Sequence, residues 1–366
     1  TLIEMLNQVM APIDYEMAAL VHQHLTFKKI RLALGDGLKS IGEYESGWLH
    51  VELSSGRTVD AEMVVLSIGV RPENQLAKEA GLDLGVRGTI KTNPHMQTSD
   101  PDIYAVGDAA EVTHRLTDSP TALALAGPAS RQGRIVADHI CGRDVTFNGV
   151  IGTSVVKVFD LTVASVGMNA KSLEMAGIPC LNVIIHASNH AGYYPGASPM
   201  ALKLLFTKEG KILGAQAVGI EGVDKRIDVI ATAMHGGLTV FDLEELELAY
   251  APPFSSSRDP VNIIGFTAAN ILRGDAKVFT WDQIDQLDRN KITVIDVRLP
   301  EELPLGTIDG SINIPLQQIR QKVNEIPKDR PVLCYCQTGQ RSYFASRALN
   351  PVSYTHLRAH ETVLDL

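Results

Sequence analysis

The chain has 366 residues, enough for two or three domains, and its 45% hydrophobic and 20% charged residues exclude wholesale disorder. A formal net charge of -9, two tryptophans and no basic stripe give no reason to expect a nucleic-acid partner. The longest apolar runs, such as Ala122 to Ala126 and Val183 to Ile185, are far short of a bilayer span, so no membrane partner is expected.

The elements follow in chain order. Thr1-Leu2-Ile3-Glu4-Met5 reads as a strand already under way, with no signal segment before it, so the chain is expected to begin inside a domain. Tyr15 to Leu25 carries Met17, Leu20, Val21 and Leu25 at helical spacing. A meander is predicted next, with strands Gly37 to Tyr44, Trp48 to Leu53 and Met63 to Ile68. A short strand, Ile103 to Val106, and a helix from about Pro128 to Cys141 come after a loop region. Strands Ser154 to Phe159, Cys180 to His186, Met200 to Phe206 and Ile212 to Val218, then a helix Lys225 to Gly236, form an α+β unit. Arg273-Gly274-Asp275 reads as a linker. Strand–helix alternation resumes with Thr293 to Val297, Ser311 to Pro315, Pro331 to Tyr335 and a helix Ser342 to Leu349. Residues 351–366 continue neither a helix nor a strand pattern; they resemble a translated sequencing-adapter tail and are expected to be non-native.

Cys141, Cys180, Cys334 and Cys336 are too few and scattered for a disulfide scaffold, which points to a reducing compartment, the cytoplasm. Cys141 and Cys180 are expected to be small buried residues, and Cys334 a core thiol. Two cysteines at 334 and 336 without further clustered ligands are a weak zinc signal, and no metal is expected.

In Thr98-Ser99-Asp100-Pro101-Asp102-Ile103-Tyr104-Ala105-Val106-Gly107-Asp108-Ala109-Ala110 a strand ends at Gly107, where a side chain would block close approach. Asp108 stands at the carboxyl end of that strand, where doubly wound sheets bind ligands and where a carboxylate can take sugar or ribityl hydroxyls. The bland reading is a Gly-Asp turn. The longer pattern resembles the second flavin-contact motif of the pyridine nucleotide–disulfide oxidoreductases, which implies that Gly107, Asp108 and Ala109 contact FAD. Leu66-Ser67-Ile68-Gly69-Val70-Arg71-Pro72 resembles that family's crossover from NAD domain to FAD domain, with Gly69 at the cofactor. By the same resemblance Glu4 closes a strand of the NAD unit. An acidic residue there accepts from ribose hydroxyls and disfavours a 2′-phosphate, implying NADH; a solvated strand-end charge is the alternative.

The resemblance implies an α/β chain: a partial two-dinucleotide-binding-domain fold, an α+β dimerisation domain and a C-terminal rhodanese domain. The expected spans are 1–68 for part of the NAD-binding domain, 69–150 for the end of the FAD-binding domain, 151–272 for dimerisation and 279–349 for a truncated rhodanese domain. Tyr250-Ala251-Pro252-Pro253-Phe254-Ser255-Ser256-Ser257-Arg258-Asp259-Pro260 is similar to the coenzyme A-disulfide reductase branch, where such a tyrosine reaches the other subunit's active site. That likeness implies a homodimer and makes Tyr250, with Tyr193 and Tyr194, candidates for contact with a thiol or coenzyme A substrate; a phenol can donate to a leaving thiolate. Structural tyrosines on proline-rich loops are the alternative for Tyr193 and Tyr194, and His190 and His235 receive no role.

In Leu333-Cys334-Tyr335-Cys336-Gln337-Thr338-Gly339-Gln340-Arg341-Ser342 a strand delivers Cys336 into a tight loop. Successive N–H donors in such a turn make an anion-binding concavity, Gly339 lets it curl, and Arg341 adds positive charge that favours thiolate. With Ile295-Asp296-Val297-Arg298 and Gly306-Thr307-Ile308-Asp309-Gly310-Ser311-Ile312-Asn313-Ile314-Pro315, the loop resembles a rhodanese domain, though Thr307 stands where histidine is usual. The resemblance implies that Cys336 carries a persulfide.

No Gly-x-Gly-x-x-Gly occurs in residues 1–150, and the family's redox cysteine is not matched, so the chain is expected to be the C-terminal part of a longer enzyme. The expected parent is an FAD- and NADH-dependent disulfide or persulfide reductase of the coenzyme A-disulfide reductase or NADH-dependent persulfide reductase type, fused to a sulfurtransferase module. A stand-alone sulfurtransferase at Cys336 and a non-catalytic dimerisation or docking fragment stay open. So does the oxidant: coenzyme A disulfide, persulfide, polysulfide or oxygen.

Overall fold

The structure, a computed structural model, describes residues 1–350 and 356–359, with 281, 282, 285 and 356–359 as backbone only. Expectations for 351–355 and 360–366 lie outside the described residues.

Strand β1 (Leu2–Glu4) lies parallel to β2 (Leu32–Leu34), and α1 (Tyr15–Phe27) lies between them in the chain. Of the predicted stripe, Met17, Val21 and Leu25 are buried along α1 and Leu20 is half-buried, with Ala18 buried beside them. Three antiparallel strands follow, β3 (Leu38–Glu43), β4 (Leu49–Leu53) and β5 (Thr58–Ala61). The third strand of the meander is thus Thr58–Ala61, and the strand predicted over Met63 to Ile68 is absent. That stretch is irregular, with Met63 77% and Ile68 83% exposed. Its apolar content suits a strand, but it has no neighbour among the described residues to complete a hydrogen-bond ladder.

Helix α2 (Gln75–Glu79) precedes the short hairpin β6 (Val112–His114) and β7 (Ser119–Thr121), and α3 (Ala126–Ile140) follows. The strand predicted over Ile103 to Val106 reduces to one bridge, Tyr104 with Gln97.

A five-stranded sheet, in the order β10-β11-β12-β9-β8, is built from β8 (Thr153–Val158), β9 (Leu161–Gly167), β10 (Leu181–Ser188), β11 (Pro199–Phe206) and β12 (Ile212–Gly219). The strands β10, β11 and β12 pair antiparallel, and β11 and β12 are buried almost throughout. Helix α4 (Ala170–Met175) lies between β9 and β10 in the chain, and α5 (Val223–Gly236), α6 (Val240–Glu245) and α7 (Pro260–Leu272) follow the sheet. Strand β9 and helices α6 and α7 have no counterpart in the sequence reading.

The last sheet is parallel, in the order β13-β17-β16-β14-β15, with β13 (Val278–Phe279), β14 (Thr293–Asp296), β15 (Ile312–Asn313), β16 (Val332–Tyr335) and β17 (His356–Ala359). Residues 356–359 therefore pair as a strand between β13 and β16, where the sequence pattern predicts none. Strand β16 is buried at every position, as a central parallel strand should be. Helix α8 (Gln340–Leu349) packs on it through Ala345 and Leu349, beside Ile295, Val297 and Cys334.

By contact the chain divides into two compact units, one of residues 1–13, 21–155 and 165–177 and one of residues 14–20, 156–164 and 178–366. Among the described residues no helix is long and apolar enough to cross a membrane.

Candidate active site and cofactor cradle

Strand β16 ends by placing Cys336, 1% exposed, under the start of α8. Gly339 caps that helix at φ 79°, a left-handed conformation costly for any side chain, and so turns the chain back over the sulfur. The Ser342 N–H donates to Cys336 Sγ at 3.4 Å, and the Ser342 hydroxyl donates to the Gly339 carbonyl at 2.8 Å. Among the described residues, the N–H groups of Gln337 through Arg341 donate to no protein acceptor. A sulfur beneath a helix start with free donors is a receptor for negative charge, as a thiolate or a persulfide.

Arg341 adds less free charge than the sequence suggests. Both Nη atoms donate to Glu302, at 2.6 and 2.7 Å, and the pair is less than one-third exposed. Hydrogen bonds from Arg341 lead the causes that lower the Glu302 carboxyl to about 2. Arg341 is raised in turn, by Glu302 first, with the Cys336 sulfur contributing. Glu302 is the charged partner of Arg341 that the sequence reading missed. The loop containing it is anchored from below, where Arg298 forks onto Asp296 and donates to the Gly306 carbonyl at 2.6 Å. The Tyr335 hydroxyl accepts from the Ile308 N–H at 3.1 Å.

Cys334 is fully buried and pushed up to about 12, first by burial and then by the charge of Cys336; it is the core thiol expected. The expectation of burial fails for the other two cysteines. Cys141 is exposed at the end of α3, and Cys180 is half-buried directly before β10. All four are free.

Tyr193 and Tyr250 come together, their hydroxyls 3.4 Å apart, and both rings are exposed. Tyr194 instead packs edge-on against His190 at 5.9 Å. His190 is buried with its Nδ1 at 3.2 Å from the Ala191 carbonyl, a structural setting. One guanidinium ties the two tyrosine loops. Arg226 donates to the Asn189 carbonyl at 2.7 Å, to Ser255 at 3.2 Å and to Asp259.

In the other unit, Gly107, Asp108 and Ala109 form a single helical turn, with Gly107 at φ 78° and its N–H held by Gln132 Oε1 at 2.6 Å. Asp108 is exposed and its carboxylate takes no hydrogen bond among the described residues. An exposed carboxylate on a tight turn, uncommitted to other described residues, fits a polyol such as a ribityl chain. Glu4 closes β1, where one oxygen accepts the Leu6 N–H at 2.9 Å. Gly69, at φ 93°, lies exposed in the irregular stretch with no side chain near it.

The model of the pyridine nucleotide-disulphide oxidoreductase family matches residues 1–133, its dimerisation domain matches 153–260, and a rhodanese-like domain matches 282–365. The chain belongs to the pyridine nucleotide-disulphide oxidoreductases and carries a rhodanese-like domain. It is 37% identical over 270 residues to the coenzyme A disulfide reductase of Staphylococcus aureus (strain bovine RF122 / ET3-1), covering 73% of this chain and 60% of that protein. The crystal structure of reduced Bacillus anthracis CoADR-RHD matches with a TM-score of 0.94 and 51% identity, over 98% of this chain and 64% of the other. The NAD-dependent persulfide reductase from A. fulgidus matches with a TM-score of 0.90 and 35% identity, over 98% of this chain and 65% of the other. The chain thus spans 60 to 65% of the length of these relatives. The expected fold class, with a dimerisation domain and a C-terminal rhodanese domain, agrees with the matched families.

Proposed function

We propose that this oxidoreductase chain serves an FAD-containing, NADH-dependent reductase of disulfides or persulfides, with coenzyme A compounds as the substrate class and Cys336 as its sulfur carrier. The observation that carries the reading is the Cys336 sulfur beneath the start of α8, accepting from the Ser342 N–H in a loop whose N–H groups from Gln337 to Arg341 donate to no protein acceptor among the described residues. The Cys336 thiolate attacks the outer sulfur of an anionic donor such as thiosulfate. The sulfur–sulfur bond breaks, sulfite leaves with its electron pair, and the loop N–H groups hold the persulfide left on Cys336. An acceptor thiolate or cyanide then takes the outer sulfur, and the Cys336 thiolate returns.

FAD, when bound, supplies two-electron transfer from NADH toward a disulfide. Asp108 would hold its ribityl hydroxyls, with Gly107 and Ala109 lining the turn, while Glu4 would accept from the ribose of NADH. Tyr250, beside Tyr193, would donate its hydroxyl proton to a departing coenzyme A thiolate. The dimerisation domain supports a homodimer, in which Tyr250 would serve the other subunit's site. Four free cysteines support a reducing compartment, the cytoplasm.

The test is thiosulfate:cyanide sulfur transfer by the chain, followed with and without Cys336→Ala. Thiocyanate formation that disappears in the variant is expected; equal rates in both would sink the sulfur-transfer part. Incubation with FAD and removal of excess addresses the flavin part, through a retained visible band that weakens in Asp108→Ala. A stand-alone sulfurtransferase, the second reading, is favoured if no flavin is retained while transfer persists.

A further inference from the structure

The Arg341 guanidinium, which interacts with the Cys336 sulfur, is gripped by a carboxylate 39 residues earlier in the chain. We propose that Glu302 is a positioning residue for sulfur transfer, holding Arg341 so that a fixed positive edge faces an anionic donor at Cys336; this rests on the sulfur-transfer reading above. Both Nη atoms of Arg341 are engaged by the two Glu302 oxygens. A planar guanidinium held through both ends of its fork keeps one orientation, which a single bond would not impose.

Glu302 is itself fixed, because its Oε2 accepts the Leu299 N–H at 2.9 Å at the start of the Pro300–Leu305 turn. That turn ends at Gly306, whose carbonyl accepts from the buried Arg298. A chain of contacts thus runs from the floor of the sheet through Glu302 to the loop. Without Glu302, Arg341 has solvent to swing into, since its side chain is 29% exposed. Arg341 interacts with the Cys336 sulfur, whereas Glu302 is tied to Arg341, Leu299 and Arg298, so losing the cation costs an anion at Cys336 more than losing the carboxylate relieves.

The test compares the full chain with E302A, R341Q and the double variant in thiosulfate:cyanide transfer, with melting curves as a check of folding. The E302A change is expected to raise KM for thiosulfate about tenfold, R341Q at least as much, and the double variant no more than R341Q, because residues acting as one unit do not add. Multiplying losses in the double variant would overturn the inference. A second measurement needs no turnover: the ratio of Cys336 alkylation rates by anionic iodoacetate and neutral iodoacetamide. That ratio should fall about threefold in E302A but stay level when E302A is added to R341Q, the coupling expected of a shared contact. An unchanged ratio in E302A overturns the positioning role even if sulfur transfer itself fails. E302Q, which keeps the side-chain volume, replaces E302A if the alanine form does not fold.

Discussion

Arg226 and Asp259 meet in the interior as a forked pair, Nε to Oδ1 at 3.2 Å and Nη2 to Oδ2 at 2.8 Å, with neither side chain more than 3% exposed. Burial alone would push the Asp259 carboxyl up, but the bonds from Ser255, the Val261 N–H and Arg226 outweigh it and hold it below the usual carboxylate value. Removing one partner leaves an uncompensated charge indoors. Arg226→Met should therefore destabilise the unit by about 3–5 kcal/mol, and Arg226→Met with Asp259→Asn by less. Chemical denaturation of the three proteins checks this; equal losses would mean the pair contributes only shape.

A second interior cation gives a similar expectation. Lys203, 2% exposed on β11, bonds both Asp14, at 2.7 Å, and Glu16. Lys203→Met strands two acids in a dry site and should cost about 3–5 kcal/mol, whereas adding Asp14→Asn and Glu16→Gln should restore part of it. A triple variant less stable than the single one would contradict the account.

Sequence legibility followed locality. The Cys336 loop was readable because β16, the glycine turn and the start of α8 are contiguous, and turn chemistry dictates the residue types. Helix α1 was readable from its apolar stripe. Helix α7 was not, although Asp259 and Pro260 open it as a cap and first residue. It is apolar nearly all round, so no stripe marks it, and a Cβ on Gly265 would stand 2.8 Å from Leu243 of α6, a close approach only tertiary packing reveals. The strand expected over Met63 to Ile68 failed for the opposite reason. Its composition is right, but pairing decides whether an apolar run becomes a strand. Glu302 was hidden because its contact with Arg341 crosses 39 residues.

The exposed phenol pair separates function from stability. Tyr250 is 48% and Tyr193 78% exposed, so replacing either by phenylalanine should change stability by no more than about 0.5 kcal/mol. In a flavin-loaded protein that reduces a coenzyme A disulfide, Tyr250→Phe should lower kcat about tenfold or more if its hydroxyl donates to the leaving thiolate. Tyr194→Phe, which leaves the edge contact with His190, should do little. Equal kinetic losses for Tyr194→Phe and Tyr250→Phe would remove the argument for a specific donor.

The Glu302–Arg341 pair also carries a pH signature. Arg341 lowers the Glu302 carboxyl from 4.5 to about 2, so the charged form is favoured in the folded state. A lowered folded value means the pair's stabilisation is complete above about pH 4.5 and disappears as pH falls toward 2. Because the pair is partly exposed and screened, about 1–2 kcal/mol is expected at pH 7 rather than the full value implied by the shift. Glu302→Gln should accordingly melt below the parent at pH 7, and the gap should narrow steadily between pH 4.5 and pH 3. Raising salt to about 1 M should shrink the pH 7 gap only in part, since a pair held by two short bonds is screened less than a free surface pair. A gap that is constant from pH 7 to pH 3 would mean that Glu302 contributes through packing and not through its charge on Arg341.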